Sequence, residues 1–275
     1  MKKRVLMMGN EALAAAAIAA GCRYYFGYPI TPQNEIPEYF ARHFPAVGGV
    51  FIQAESEIAA IYMVYGSAAA GGTAMTSSSS PGISLKLEGI SYLAAAELPC
   101  VIVNIMRAGP GLGGIQPAQS DYFQATKGGG HGDYRLVVLA PYTVQEMSDL
   151  TKLAFLLAEK YRNPVMILSD GLLGQMTEAL EISDETETLP GPQSKPWATS
   201  GCRGRDKNVI KTLYLDPVEL EQVNNHLQEK YNCIEAAEVR AEEYLTDDAT
   251  VIIVAFGASA RIAKEAVITA RGEGI

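Results

Sequence analysis

The chain has 275 residues, of which 48% are apolar and 19% are charged, and its formal net charge at pH 7 is −9. Length and apolar fraction predict one large or two smaller globular domains with a sizeable core. The acidic balance, without a long basic run, argues against nucleic acid as a partner. The apolar run at 12–21 is far shorter than a membrane span, so we expect no membrane association.

The metal-ligating residue types are sparse and scattered. The cysteines stand at positions 22, 100, 202 and 233, and the histidines at 43, 131 and 226. There is no CxxC pair and no HExxH motif, so the spacing predicts neither a zinc site nor an iron–sulfur cluster in this chain, and no metal site is expected. Unpaired cysteines without a signal peptide indicate a reducing cytoplasm.

Strand-like and helix-like segments alternate along the first part of the chain. The pattern predicts strands at 5–8, 24–28, 50–53, 73–76, 99–106, 136–139 and 165–168. It predicts four helices between them: one that begins at Asn10, one over 56–70, one that ends near Ala96 and one over 144–161. Repeated β-α-β units of this kind predict an α/β fold with a doubly wound, mostly parallel sheet and helices on both faces.

The composition changes near residue 178. An acidic stretch is followed by a Pro- and Gly-rich stretch at 189–206, which is typical of a linker. We therefore predict a first domain over 1–180, a linker over 181–216, and a helix with the first β-α unit of a second, apparently incomplete α/β domain over 217–275. Its strand is predicted at 250–256. Trp197, inside the linker, is expected to be pinned against the rest of the protein.

Four unusual segments follow predicted strands, at 29–32, 55–57, 77–82 and 107–114. In open parallel sheets, ligands bind beyond the carboxyl ends of the strands, so these loops are expected to converge. Each also has a purely structural interpretation: prolines shape turns, serines cap helices, Arg107 could be a surface charge, and the glycines could form a plain loop. Phosphate-loop, Rossmann and GxSxG motifs are absent.

The segment Glu55-Ser56-Glu57 places two carboxylates at the start of a very apolar helix. The simple interpretation is a capped helix end, because acidic residues are stabilising in a first turn. The alternative is a half-buried carboxylate that exchanges a proton with a ligand or binds a protonated ring nitrogen. The local sequence leaves both open.

Several of these motifs together resemble the alpha subunit of 2-oxoacid:ferredoxin oxidoreductases, in the pyruvate:ferredoxin oxidoreductase superfamily. The resemblance is closest to the 3-methyl-2-oxobutanoate (2-oxoisovalerate) subgroup and runs over essentially the whole chain. The motifs are NEA at 10–12, GYPITP at 27–32, QAESE at 53–57, SSSSPG at 77–82, GGGHGDY at 128–134 and KPWATSGCRGR at 195–205.

The resemblance implies a thiamine diphosphate enzyme whose first domain is of the pyrimidine-binding type. A separate beta subunit would carry the diphosphate and Mg²⁺ site, and gamma and ferredoxin-like subunits would be further partners. The [4Fe–4S] clusters would lie on partner subunits. The implied reaction is oxidative decarboxylation of a branched-chain 2-oxoacid to acyl-CoA and CO2, with coenzyme A as acyl acceptor and ferredoxin as electron acceptor.

The resemblance also implies residue roles. Glu57 would contact N1′ of the aminopyrimidine, and Pro29, Thr31 and Ser80 would line the cofactor. Thr31, Arg107 and Asp121 would contact the substrate, with Arg107 placed near its carboxylate because Arg binds carboxylates in a bidentate fork. Glu57, Thr31 and Arg107 are the predicted catalytic residues.

Three alternatives remain open at this point. The chain could be a non-catalytic, partner-binding scaffold, in which case Glu57, Thr31 and Arg107 would be dispensable. It could belong to a 2-oxoglutarate- or pyruvate-specific enzyme. It could also carry a different thiamine chemistry, such as transketolase-like carbon transfer, which would need no partners with iron–sulfur clusters.

Overall fold

The computed structural model describes residues 2–183 and 195–274. Its centre is a six-stranded parallel sheet in the order β3-β2-β4-β5-β7-β6. These strands are β2 (Tyr24–Gly27), β3 (Val50–Gln53), β4 (Ala74–Ser78), β5 (Cys100–Met106), β6 (Val137–Leu139) and β7 (Pro164–Asp170). The predicted α/β class with a parallel sheet is confirmed.

Helices cover both faces of this sheet. The helices are α1 (Gly9–Ala19), α2 (Glu35–Val47), α3 (Glu57–Ala69), α4 (Pro81–Ala95), α5 (Tyr122–Lys127), α6 (Val144–Tyr161), α7 (Gly171–Gln175), α8 (Pro217–Glu238) and α9 (Gly257–Gly272). One core cluster contains Leu13 of α1, Phe40 of α2 and Phe155 of α6. The other contains Ile61 of α3 and Ile90 of α4. None of these helices is both long and apolar enough to cross a membrane.

The central strands β5 and β7 are buried along their whole lengths. A parallel strand covered by helices on both faces has no solvent side, so a continuous apolar run is the pattern that such a strand requires. This is why the sequence predicted both strands within a few residues. Asn104 is the polar exception in β5 and is fully buried.

The first predicted strand does not join the parallel sheet. Strand β1 (Lys2–Met8) pairs antiparallel with β8 (Thr177–Ser183) in a separate two-stranded sheet. The sequence analysis missed β8 because Glu178 and Glu181 made the segment look like acidic linker. The alternate residues Leu180 and Ile182 face the core, which is the period-two pattern of a half-buried strand.

The predicted strand at 250–256 is wrong as well. Val251 is 80% exposed and Val254 95% exposed, and no strand within the described ranges pairs with the segment. Strand-like composition alone does not form a strand, because its backbone groups need a hydrogen-bonded neighbour. Of the predicted linker, residues 184–194 lie outside the described residues.

Trp197 is pinned, as predicted. It packs against the core that α3 and α4 share, and the Arg162 guanidinium lies 4.7 Å from its ring centroid. Nearby, the Thr199 N–H donates a 2.8 Å hydrogen bond to the Ala69 carbonyl at the end of α3. The segment that carries Trp197 and Thr199 is therefore anchored to the helices that cover the parallel sheet.

Candidate functional site

The candidate site lies at the carboxyl edge of the parallel sheet. The loops after β2, β3, β4 and β5 all leave the sheet there, because all four strands run in the same direction. Arg107, at the end of β5, links two of these loops: its backbone N–H donates a 3.0 Å hydrogen bond to Ser80 Oγ, and its Nη1 donates one to the Thr31 carbonyl, also 3.0 Å. The predicted convergence of these loops is observed.

Ser80 is held by several hydrogen bonds in an unusual backbone conformation, with φ at +27°. Its Oγ donates a 2.5 Å hydrogen bond to Asp121 Oδ2 and accepts one from Arg107 N–H. Its own N–H donates a 2.9 Å hydrogen bond to Asn104 Oδ1. A positive φ in a non-glycine residue persists only where surrounding contacts fix it, and such strain is concentrated at functional sites.

Asp121 supports this arrangement. Its Oδ2 accepts a second hydrogen bond, 3.0 Å long, from Asn104 Nδ2. Asn104 therefore bridges the Ser80 backbone and the Asp121 carboxylate, and all three side chains form one polar unit at the start of α4. Both of these hydrogen bonds join Asp121 to protein groups, and one of them holds the Ser80 hydroxyl in place.

Arg107 is a buried cation without an acidic partner among the described residues. The residue is 6% exposed. Its Nη1 and Nη2 donate to the main-chain carbonyls of Thr31 and Leu112, at 3.0 and 2.9 Å, and its Nε has no hydrogen-bond partner in the described chain. A buried charge is costly without a counter-charge, so this guanidinium favours the approach of an anion.

Glu57 lies at the first position of α3. Ser56 is the N-cap, and its Oγ accepts a 3.1 Å hydrogen bond from Ala59 N–H. Glu57 is 7% exposed, whereas Glu55 is exposed. The helix is therefore capped in the ordinary way, and Glu57 is nevertheless buried in the protein.

The Glu57 carboxylate faces the first turn of α4. A Cβ atom added to Gly82 would lie 2.9 Å from Glu57 Oε1 and 2.1 Å from Ser78 Oγ, so only glycine fits there. The Ser78 and Ser79 hydroxyls are fully buried and have no hydrogen-bond partner within the described residues. The Glu57 carboxylate and the unpartnered Ser78 hydroxyl beside Gly82 suit a polar heterocycle with ring nitrogens and an amino group, such as an aminopyrimidine.

The other predicted residues are less closely tied to this cluster. Thr31 is half-buried, and its carbonyl contacts Arg107. Pro29 is exposed in the loop after β2. His131 and Asp133, in the Gly-rich loop after α5, are also exposed. Over residues 2–183 and 195–274, no group of three or more His, Cys, Asp or Glu side chains could hold a metal ion.

Sequence reasoning missed the buried polar residues that hold the loops. Asn10, 0% exposed at the start of α1, donates hydrogen bonds to the Pro32 carbonyl (2.9 Å) and to Glu35 Oε2 (2.7 Å). It thereby fixes the loop that carries Thr31. Asn104 and Lys86 are two further cases. The available signal was a polar residue inside an otherwise apolar element, which is rarely buried without a purpose.

Comparison with known proteins identifies the class of this chain. Residues 15–245 match the family described as pyruvate flavodoxin/ferredoxin oxidoreductase, thiamine diphosphate-binding. The chain belongs to this family of 2-oxoacid:ferredoxin oxidoreductase subunits. The predicted family, its oxidoreductase class and its thiamine diphosphate cofactor are confirmed.

Individual relatives refine this similarity. The chain is 59% identical over 271 residues to the ketoisovalerate oxidoreductase subunit VorB of Methanothermobacter thermautotrophicus, covering 98% of this chain and 76% of that one. It is 46% identical to the 2-oxoglutarate synthase subunit KorA of Methanocaldococcus jannaschii, over 69% of this chain and 52% of that one.

A solved structure shares the fold over the whole chain. It is the 2-oxoglutarate:ferredoxin oxidoreductase from Magnetococcus marinus with 2-oxoglutarate, coenzyme A and succinyl-CoA bound. The TM-score is 0.90 and the sequence identity 30%, with 100% of this chain covered. This chain spans about half (52%) of the length of that one.

Proposed function

We propose that this chain forms the aminopyrimidine side of a thiamine diphosphate site in an enzyme that oxidatively decarboxylates a branched-chain 2-oxoacid. The observation that carries the proposal is the buried Glu57 carboxylate, which lies with the unpartnered Ser78 hydroxyl against Gly82. Family membership supplies the cofactor class. The 59% identity to a ketoisovalerate oxidoreductase subunit supports the substrate class.

Glu57 is assigned the proton-handling role. A carboxyl group that shares a proton with N1′ of an aminopyrimidine can hold that ring in its reactive tautomer. When bound, thiamine diphosphate supplies the electron sink for decarboxylation. Ser80, Thr31 and Pro29 are proposed to line the cofactor.

Arg107 is assigned to the carboxylate of the substrate. Its guanidinium is fixed by two carbonyl oxygens and lacks an acidic partner in the described chain, so binding an anion satisfies a charge that is already buried. Thr31 is proposed to contact the substrate beside it. Asp121 is proposed to act by holding Ser80 in place.

The relatives' names describe subunits, which supports assembly with further chains. We propose a beta subunit that supplies the diphosphate and Mg²⁺ side, together with gamma and ferredoxin-like subunits. Electrons would pass to ferredoxin through [4Fe–4S] clusters on partner subunits. Coenzyme A is the proposed acyl acceptor. The four cysteines are free, which supports a reducing compartment such as the cytoplasm.

A 2-oxoglutarate enzyme is the second candidate. It is supported by the 46% identity to a 2-oxoglutarate synthase subunit and by the fold match to a 2-oxoglutarate enzyme. The branched-chain assignment is preferred because that similarity is higher and covers 98% of this chain.

The test is to purify the tagged chain anaerobically with its partner subunits and to measure bound thiamine diphosphate and dye reduction. The substrate panel contains 3-methyl-2-oxobutanoate, pyruvate and 2-oxoglutarate. Glu57→Gln is expected to lower turnover about a hundredfold or more, the scale for losing acid–base help. The matched control is Glu55→Gln, which alters an exposed carboxylate two residues away. Near-normal turnover in Glu57→Gln would refute the proposal.

A further inference from the structure

Helix α9 has no part in the roles proposed above, yet its first turn lies against the loop that follows β5, residues 107–121, called here the Arg107 loop. The contact is made by the side-chain amide of Gln119. Its Nε2 donates a 2.7 Å hydrogen bond to the Phe256 carbonyl, and its Oε1 accepts a hydrogen bond from Ser259 Oγ. One amide therefore ties the Arg107 loop to a helix whose N-cap lies 137 residues further along the chain.

A glycine at position 257 makes this close contact possible. Gly257 has a φ of +57°, and a Cβ atom added to it would lie 2.5 Å from Gln119 Nε2 and 3.5 Å from Asp170 Oδ2. A side chain at this position would displace the Gln119 amide and would strain the backbone. Beside this contact, the Phe256 ring lies 5.7 Å from the Tyr122 ring. The first turn of α9 is therefore fitted closely to the Arg107 loop.

Asp170, at the end of β7, gives the docking of α9 an electrostatic basis. The residue is 2% exposed. Its Oδ1 accepts hydrogen bonds from the N–H groups of Leu172 and Leu173, at 2.9 and 3.1 Å, and its Oδ2 accepts a longer one, 3.4 Å, from Ala258 N–H in the first turn of α9. A buried carboxylate is costly unless it is hydrogen-bonded, and a helix N-terminus stabilises negative charge. The docked α9 therefore stabilises a charge that is already buried.

The two residues after Gln119 connect this contact to the candidate site. Ser120 Oγ donates a 3.1 Å hydrogen bond to the Arg107 carbonyl. Asp121 Oδ2 accepts a 2.5 Å hydrogen bond from Ser80 Oγ. Because the three residues are consecutive, a shift of Gln119 moves the groups that hold Arg107 and Ser80. The position of α9 is in this way linked to the position of both.

We propose that Gln119 is a positioning residue, which uses the first turn of α9 to hold the Arg107 loop in the conformation that binds the carboxylate of the 2-oxoacid. This inference rests on the proposed function, because it takes Arg107 as the group that binds that carboxylate. The Arg107 guanidinium donates to the Leu112 carbonyl within the same loop, so a loop released from α9 no longer fixes the guanidinium. The expected result is weaker substrate binding with little change in saturated turnover.

The kinetic test uses the complex purified with its partner subunits and the 2-oxoacid that the wild type prefers. Gln119→Ala removes both hydrogen bonds to α9 and is expected to raise KM for the 2-oxoacid about tenfold, with kcat changed less than about twofold. The matched control is Arg261→Gln, which removes another contact of α9, the 2.6 Å ion pair with Glu178. This contact does not involve the Arg107 loop, so KM should stay at the wild-type value.

Ser259→Ala keeps the test falsifiable if Gln119→Ala does not assemble. It alters an exposed position on α9, removes one of the two hydrogen bonds to Gln119 and leaves the Arg107 loop itself unchanged. We expect KM to rise about threefold. In a Gln119→Ala background, Ser259→Ala should raise KM no further, because the partner of its hydroxyl is already gone.

Hydrogen–deuterium exchange gives a second readout that needs no substrate. The N–H groups of Ala108 and Gly114 donate 2.9 Å hydrogen bonds within the Arg107 loop, to the carbonyls of Gln116 and Ala108. Their exchange therefore reports opening of the loop. Gln119→Ala is expected to speed this exchange about tenfold, whereas Arg261→Gln should leave it unchanged.

The outcomes separate this inference from the proposed function. A wild-type complex that reduces no dye with any 2-oxoacid overturns the proposed function, and this inference with it. An active wild type with an unchanged KM in Gln119→Ala, or in Ser259→Ala if only that variant assembles, overturns this inference alone. Faster loop exchange with an unchanged KM does the same, since it shows a purely structural role. An equal rise of KM in Arg261→Gln also overturns it, because the effect would then not pass through Gln119.

Discussion

The guanidinium of Arg107 donates a 3.0 Å hydrogen bond to the main-chain carbonyl of Thr31, across 76 residues of sequence. This bond joins the end of a central strand to the loop that follows β2. Because the backbone N–H of Arg107 also donates to Ser80 Oγ, this one residue contacts the loops that carry Thr31 and Ser80 and begins the third. The position of each loop therefore depends on the other two.

Arg107→Lys is expected to lower kcat/KM for the 2-oxoacid by about tenfold to a hundredfold. Lysine keeps the charge but cannot donate in a fork to both Thr31 and Leu112 while it faces an anion. Steady-state dye reduction measures the effect. The control is Arg42→Lys, an exposed position on α2, which should leave kcat/KM unchanged. Equal activities of the two variants would contradict the role of Arg107.

Ser80→Ala is expected to lower the free energy of unfolding by about 1–3 kcal/mol, the scale for leaving buried groups unsatisfied. The change removes the hydrogen bond to Asp121 and leaves the strained backbone in place. Ser80→Gly loses the same hydroxyl but relieves the positive φ, so it should be the more stable of the two. Urea denaturation of both variants checks the order, and the opposite order would refute the strain at this residue.

Asn10→Ala is expected to destabilise the protein by about 1–3 kcal/mol and to raise KM for the 2-oxoacid. The substitution leaves the Pro32 carbonyl without its buried partner and frees the loop that carries Thr31. Thermal unfolding and substrate titration measure the two effects. Asn225→Ala, at an exposed position of α8, is the control. A loss of stability with unchanged KM would limit Asn10 to a structural role.

Lys86 predicts a pH dependence of stability. Its pKa is about 7 in the folded protein and 10.5 in the unfolded chain, so between these values the unfolded chain binds more protons. The free energy of unfolding contributed by Lys86 therefore rises with pH over this window. In Lys86→Met that contribution is absent. Denaturation of both proteins at about pH 7 and 9 gives the difference, and equal slopes would contradict the prediction.

The sequence was most informative about elements whose pattern is set by their own burial. β5 and β7 are central strands, so their continuous apolar runs predicted them well. Helix α2 was missed, although Ile36, Phe40 and Phe44 form a buried stripe at four-residue spacing. Strand pairing could not be predicted in the same way. The paired strands β1 and β8 lie far apart in the sequence, and the local composition of either one does not specify its partner.

In the candidate site, too, some features could be predicted from the sequence and others could not. The rule that ligands bind at the carboxyl edge of a parallel sheet was enough to place Thr31, Ser80 and Arg107 together from the sequence alone. The contacts between them could not be predicted, because they depend on where β5 lies relative to the loop after β2. Lys86 and Asn104 became visible only through their burial, which is a property of the folded chain.

The pairing of β1 with β8 also has an architectural consequence. Lys2 and Ser183 are register partners, so the backbone enters and leaves the parallel-sheet unit at one place, about one strand spacing (~4.8 Å) apart. A unit with adjacent ends can be moved into another chain through a single pair of joints. We expect that residues 2–183 can be inserted as a unit into chains of different length without displacing the carboxyl edge of the parallel sheet.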